Sequence, residues 1–336
     1  MVVFTQKGMQ EDSGIGFGAM SMVAFYGEPL GEQENSALLG AVYDAGCRHF
    51  DTAEIYKSGN PFKHNPKDIY SESRLGAFFQ TVPRSSFTVA TKFQPMIYKG
   101  RTDYDTVKAS LQGSLQRLQL DFVDLYYCHR IPSLEAAKQF MHTAARLVKE
   151  GLVKEVGLSE ISGAWLREAN AIYPVACVQQ EWSLLTRNLE EELIPVCKEL
   201  NIGVVAYSPL ARSLLALPAE RPKGFLGKMP RFSEENWAKN VALVKGVQAM
   251  AEGKGATASQ LSLAWLLAKG QELGVMVLPI PGTTKIANAQ SNIAAAKIKL
   301  SPEEVRKLEQ VGAAVAGARG DESYTKFGIE GQQAKL

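Results

Sequence analysis

The sequence predicts an α/β fold of the closed (β/α)8 kind, the TIM barrel, built as a single domain over residues 1–336. Three observations predict it. Short strand-like segments alternate with helical-period segments eight times, the rhythm of a parallel barrel rather than an open doubly wound sheet. Segments such as Val204-Val205-Ala206-Tyr207 and Val275-Met276-Val277-Leu278 are nearly continuous apolar runs, as strands covered on both faces must be. Several segments also end on a polar residue of catalytic type, and the carboxyl ends of the strands are where a barrel's loops converge.

Taken in order, the first strand covers Ser13 to Met20. Within it Gly14, Gly16 and Ala19 match the spacing of a dinucleotide-binding turn, but that fingerprint must follow an apolar strand and open a helix. Gln10-Glu11-Asp12 precede it and Pro29 follows, so a glycine-rich barrel strand packed where backbones come close is the better reading. Helical periodicity then runs over 31–45, followed by strand 48–53, helix 68–80, strand 87–92, helix 103–118 and strand 122–129. The second half continues with helix 133–150, strand 153–159, helix 162–172, strand 175–181, helix 188–200 and strand 202–207. A Pro/Gly-rich loop over 209–232 leads to helices 234–252 and 257–269, strand 275–280, and helices 285–295 and 302–314. From about residue 317 the chain lacks periodicity and is expected to be a loosely held tail.

With 46% apolar and 21% charged residues, the chain has what a large buried core needs. Its net charge of +2 and the absence of long like-charge runs give no footprint for nucleic acid. No apolar stretch is long enough to span a membrane, and the start is too short and polar for a signal peptide. Cys47, Cys128, Cys177 and Cys197 are scattered without pairs or metal spacing, which fits a reducing, cytoplasmic location.

The chemistry concentrates on four residues. Asp51 ends the second strand, with Tyr56 five residues on, while Lys92 and His129 end the third and fourth. A tyrosine, with a free pKa of about 10, is a poor proton donor to a carbonyl oxygen unless its conjugate base is stabilised. A neighbouring lysine cation does that, lowering the phenol by about one to three units, and Asp51 would keep the lysine charged in a partly dry pocket. His129 would add a second donor, completing a set that protonates oxygen while hydride reaches carbon. Each residue alone has a plainer reading: an ion pair at the barrel mouth, a loop anchor, a structural histidine. All four at successive strand ends make that joint reading the weaker one. A metal-dependent hydrolase fits poorly, since of His49, His64, His129 and His142 only His129 falls at a strand end and no pair has ligand spacing, so no metal is expected.

Over nearly its whole length the chain resembles the aldo-keto reductase superfamily. The resemblance is carried by His49-Phe50-Asp51-Thr52-Ala53 with Tyr56, Thr91-Lys92, Asp124-Leu125-Tyr126-Tyr127-Cys128-His129-Arg130, Val156-Gly157-Leu158-Ser159-Glu160, Val178-Gln179-Gln180-Glu181, Ala206-Tyr207-Ser208-Pro209-Leu210, and Leu278-Pro279-Ile280-Pro281-Gly282-Thr283. It implies reduction of an aldehyde or ketone with NADPH, with Tyr56 as proton donor in a tetrad with Asp51, Lys92 and His129. Ser159 and Gln179 would hold the nicotinamide carboxamide and Tyr207 would stack on its ring. Glu160 stands where many relatives have Asn, and a carboxylate accepts from the amide NH2 but cannot donate to its oxygen. Ser208, Leu210 and Arg212 would run past the pyrophosphate. Gly282, Thr283, Thr284 and Lys285, with Asn288 and Asn292, would meet the adenosine 2'-phosphate and adenine, a helix amino terminus with a lysine being a ready anion site.

Candidate apolar walls for the substrate are Met22, Phe25 and Tyr26, Phe93 and Tyr98, and Trp182, with the polar loop 57–67 beside Tyr56; each wall residue serves equally well as core. The expected partner is a small-molecule carbonyl compound, without nucleic acid or membrane; oligomeric state, substrate and reaction direction stay open. A redox-sensing regulatory subunit of the same fold, binding NADPH with little turnover, is the rival reading.

Overall fold

The structure is a computed structural model that describes residues 14–24, 28–63, 65–326 and 328–333. Its strands are β1 (Phe17–Gly18), β2 (His49–Asp51), β3 (Thr88–Phe93), β4 (Val123–Cys128), β5 (Val153–Ser159), β6 (Cys177–Glu181), β7 (Gly203–Tyr207) and β8 (Val277–Pro279), parallel and side by side in chain order. Backbone bonds from Gly16 N to the Pro279 carbonyl (2.9 Å) and from Gly18 N to the Pro281 carbonyl (3.4 Å) join the first strand to the last. The ring is therefore the expected (β/α)8 barrel.

The glycines of the first strand serve this seam. A Cβ on Gly18 would lie 2.7 Å from the Ile280 carbonyl oxygen, and one on Gly282 would lie 2.6 Å from that of Gly18. Backbones touch here, so the dinucleotide-like spacing reflects close packing. Strand β1 is shorter than the expected 13–20 because the chain turns into a 3-10 helix at Ala19–Met22.

Two apolar layers follow from strand alternation. Ala90, Leu125, Tyr127, Cys177, Val205, Leu278 and Ile280 fill the barrel interior. Residues of the opposite parity, such as Phe50, Val89, Tyr126, Val178 and Val204, pack outward against the helices in the larger cluster. The period of two then places Lys92 after Ala90, Gln179 after Cys177 and Tyr207 after Val205 on the inward side.

The outer helices are α1 (Glu32–Asp44), α2 (Ser71–Phe79), α3 (Tyr104–Leu118), α4 (Leu134–Lys149), α5 (Gly163–Asn170), α6 (Leu189–Leu200), α7 (Glu234–Glu252), α8 (Ala258–Leu273), α9 (Ile286–Ala294) and α10 (Pro302–Gly312). Side-chain caps set many of the starts: Asp103, Ser133, Ser162, Ser233, Thr257 and Ser301 each accept a backbone N–H of the first turn. No helix among the described residues is long and apolar enough to cross a membrane.

The segment after Gly317 differs from the loose tail expected. It carries two short helices, Glu322–Thr325 and Ile329–Gln333, and buries Arg319, Ile329 and Gln332 against the barrel. Its anchors are charged and amide groups whose partners lie far back in the chain, which leaves no local periodicity to read.

Gly18→Ala should lower stability by about 1–3 kcal/mol, since its methyl group meets fixed backbone at the seam. Gly40→Ala on α1, where nothing lies within 4 Å, should be neutral or stabilising by about 1 kcal/mol. Denaturant midpoints of the two variants check this, and equal shifts would contradict the seam.

Candidate active site

Five strands deliver a polar residue at or just past the carboxyl end. Asp51 and Ser159 close β2 and β5, Tyr207 closes β7, Lys92 is the next-to-last residue of β3, and His129 follows β4 directly. Lys92 is fully buried and donates to Asp51 Oδ1 and to the Thr52 carbonyl (2.7 Å). The other Asp51 oxygen accepts from Gln179 Nε2 at 2.7 Å. One amide hydrogen of Gln179 is thus committed to the carboxylate. The ammonium stands 5.0 Å from the centroid of the Tyr56 ring, and the His129 ring meets the same ring edge-on at 6.1 Å. The structure therefore brings Asp51, Tyr56, Lys92 and His129 together.

Their protonation follows from burial and one cation. Burial alone would lower the Lys92 pKa, but the Asp51 carboxylate and the Tyr56 phenol outweigh it and the pKa is raised, so the ammonium persists. Burial raises the Asp51 carboxyl, against the pull of Lys92 and Gln179. For Tyr56 burial also leads and pushes the phenol up, while Lys92 pulls it down and Asp51 pushes it back. This corrects the expected lowering of the phenol: Asp51 already balances the lysine charge, so desolvation sets the sign. His129 is pushed well below its usual range by burial and then by Lys92 and Arg130, leaving a neutral imidazole whose Nδ1 is buried without a hydrogen-bond partner among the described residues.

These residues floor an open cleft of about 620 Å³. Asp51, Tyr56 and His129 line it, as do Ser159, Gln179, Tyr207, Ser208, Leu210, Arg212, Gly282, Thr283 and Thr284; Lys92 lies behind them. Lys285 caps α9 with an exposed side chain, Asn288 is exposed, and Asn292 is buried on the same helix, all three outside the lining.

The wall residues fall differently. Phe25 and Tyr26 lie outside the described residues. Tyr98 is absent from the lining because its hydroxyl donates to Glu54 (2.8 Å) and its ring stacks on Phe93. Met22, Phe93 and Trp182 are fully buried in the core. The apolar side of the cleft is made instead by Met20, Ile55, Phe62 and Met96, with Phe62 62% exposed at the rim. Phe62 was hidden by the polar character of its loop, which the buried ion pair of Lys57 and Asp68 (2.7 Å) ties down.

Glu160 does not face the cleft. Its carboxylate accepts from Arg319 (2.7 Å) and from the Tyr207 hydroxyl (2.6 Å), with Arg130 at 3.6 Å. Burial would raise its pKa, but Arg319 and Arg130 overcome it and hold the group at about 2. Arg130, Tyr324 and Arg319 had no recognised role in the sequence. Arg130 and Tyr324 line the cleft, and the Tyr324 ring lies against the guanidinium groups of Arg130 and Arg212, each 4.5 Å from its centroid. Only the position of Arg130, directly after His129, could have signalled it. Among the described residues no cluster of three His, Cys, Asp or Glu could hold a metal ion.

Comparison with known proteins places this geometry in a family. The sequence model described as "Aldo/keto reductase family" matches residues 14–313. The chain is 36% identical over 309 residues to a probable aldo-keto reductase 1 of Glycine max, covering 89% of this chain and 85% of that protein. Among solved structures it is similar to a thermostable aldo-keto reductase in complex with the inhibitor epalrestat (27% identity, TM-score 0.71, 89% of this chain and 94% of that one). It is also similar to an aldo/keto reductase of Klebsiella pneumoniae in complex with NADP and acetate (25% identity, TM-score 0.69, 92% and 94%).

The depressed Glu160 pKa carries a pH signature. A folded value of about 2 against about 4.5 unfolded makes this carboxylate contribute stability above pH 4.5, and that contribution disappears as pH falls toward 2. Glu160→Gln should therefore cost about 3 kcal/mol at neutral pH and progressively less below pH 4.5. Denaturant melts of parent and variant from pH 7 to pH 2 check it; a pH-independent difference would contradict the ion pair.

Proposed function

The chain belongs to the aldo/keto reductase family, and from that premise we propose that it reduces an aldehyde or ketone to the alcohol with NADPH, Tyr56 donating the proton. The observation that carries the reading is the set of protonated Tyr56, cationic Lys92, carboxylate Asp51 and neutral His129 on the floor of one cleft. A related structure in complex with NADP supports the cofactor.

The residues suit that cofactor. Ser159, Gln179 and Tyr207 border the catalytic floor, Ser208, Leu210 and Arg212 continue the wall, and the Gly18–Gly282 contact brings bare backbone to the cleft beside Thr283 and Thr284. In this reading Ser159 and Gln179 hold the carboxamide, Tyr207 stacks on the ring, and Arg212 meets the pyrophosphate. Glu160 takes no part in the carboxamide contact, because both its oxygens serve Arg319. Lys285 at the cap of α9, with Asn288 and Asn292 further along that helix, receives the adenosine end, Lys285 serving as the counter-charge to a 2'-phosphate.

Bound NADPH supplies the hydride that reaches the carbonyl carbon. Tyr56 gives its hydroxyl proton to the carbonyl oxygen as negative charge develops there, and the Lys92 ammonium stabilises the phenolate left behind. Asp51 keeps Lys92 charged and in place. His129, uncharged, offers an N–H donor toward the oxygen without competing for the proton. Tyr56 is only partly covered and lines the open cleft, so it recovers its proton from solvent. Met20, Ile55, Phe62 and Met96 favour a carbonyl compound with an apolar body.

Fluorescence titration with NADPH and NADH, followed by absorbance of the reduced nicotinamide with a panel of aldehydes, tests the reading. Tyr56→Phe should reduce turnover by about 10² to 10⁴ while leaving NADPH affinity nearly intact; turnover at the parent rate would refute the donor assignment. Lys285→Ala should weaken NADPH by about tenfold and leave NADH unchanged, the size of one lost charge pair. Tight binding without turnover on any aldehyde would favour the redox-sensing regulatory reading.

A further inference from the structure

The charged cluster behind the cleft centres on one residue of the C-terminal segment. Arg319 is 6% exposed and every N–H of its guanidinium is engaged. Nη1 meets Glu160 Oε1 (3.0 Å), Glu181 Oε2 (3.2 Å) and the Tyr207 hydroxyl (3.2 Å); Nη2 meets Glu160 Oε2 (2.7 Å) and Glu330 Oε2 (2.6 Å); Nε meets Glu330 Oε1 (2.7 Å). The same segment adds two further grips. Tyr324 shares a 2.7 Å hydrogen bond with the Tyr207 hydroxyl, and Gln332 bridges the turn after β5, donating to the Glu160 carbonyl (2.6 Å) and accepting from Ser162 N (2.8 Å).

These contacts share a target. They end on the β5 turn that carries Ser159 and on the β7 terminus that carries Tyr207, the two strand ends whose side chains line the cleft. Glu160, through which most of the grip passes, sits in the left-handed region at φ 53°, a backbone state that a non-glycine residue holds only when its surroundings impose it. Ser159 and Tyr207 belong to strands separated by β6. Arg319 bridges that gap through Glu160, Glu181 and Tyr207 together.

We infer that Arg319 is a positioning residue for the cofactor: brought in by the segment 318–333, it fixes the Tyr207 ring and the Ser159–Glu160 turn in the orientation that receives the nicotinamide. This rests on the reading of Ser159 and Tyr207 given above. Arg319 itself does not line the cleft, so it acts through these residues, while Tyr324 couples the segment to the cleft wall. A bidentate guanidinium on one carboxylate and a second bidentate pair on another set angles as well as distances, which a lysine cannot reproduce.

The test uses the full chain with Arg319→Ala, Arg319→Lys and Tyr324→Phe, reading NADPH affinity by fluorescence, kcat and KM on an aldehyde, and thermal midpoint by circular dichroism. Arg319→Ala is expected to weaken NADPH by about tenfold or more at temperatures where it remains folded, with Arg319→Lys recovering part of the loss. Tyr324→Phe removes one hydroxyl, should melt with the parent, and is expected to weaken NADPH by about two- to tenfold. Should Arg319→Ala fail to fold, Arg319→Lys and Tyr324→Phe decide. Affinities equal to the parent in folded variants would overturn the inference, leaving a purely structural tie, and tighter binding would overturn it in favour of a segment that competes with the cofactor. A parent that binds NADPH alongside unaffected variants sinks the inference alone; a parent that binds neither nicotinamide cofactor sinks the reductase reading and the inference with it.

Discussion

The pair of Lys92 and Asp51 is the constraint around which the cleft is arranged. Both side chains are essentially removed from water, and two ions in such a place are tolerated only when their remaining donors and acceptors are satisfied. Thr52 and Gln179 supply those partners, so the pair ties β2, β3 and β6 together across the barrel. Burial sets the surrounding protonation: Tyr56 stays a phenol because desolvation outweighs the pull of Lys92, which Asp51 partly offsets, and His129 stays neutral because it is buried, with Lys92 and Arg130 adding to that effect. The apolar layer of Ala90, Tyr127, Cys177 and Val205 lies beneath, and charge begins where that layer stops.

Much of this was legible in the sequence, and for identifiable reasons. Strand and helix alternation survives in the apolar periodicity, and the residues two positions beyond an interior apolar residue, such as Lys92 after Ala90, announce themselves at the strand ends. Boundaries were less legible, because pairing rather than propensity ends a strand; β1 stops where the chain enters a 3-10 turn. Tyr98 was misread because an aromatic after a strand can turn either way, and Glu54 draws it outward. The C-terminal segment was unreadable. Arg319 and Gln332 are fixed by partners 159 and 172 positions earlier, and no window of sequence holds both ends of such a contact.

The backbone around the cleft is held under strain. Arg130, Glu160, Ser208, Ala211, Arg212 and Ser213 all adopt positive φ without being glycine. Each such residue costs about 1–3 kcal/mol and persists because its neighbours over-determine it. For Glu160 those neighbours are visible as Arg319, Tyr207 and Gln332. The run from Ala211 to Ser213 turns the chain sharply after β7 and keeps Leu210 and Arg212 on the wall of the cleft.

The grip of Arg319 on β5 and β7 also orders events in time. A ribosome makes the chain from its amino end, so all eight strands have been synthesised before Arg319 is added. Until then Glu160 and Glu181 lack the guanidinium they share, and the turn after β5 lacks Gln332. A nascent barrel can close its seam through Gly16 and Gly18 while the cluster behind its cleft still lacks its central cation, with Glu160 left to Arg130 and Glu181 to Arg212. Completion of the cleft is thereby deferred to the final stage of translation, and a chain that terminates early yields a barrel without its finished wall.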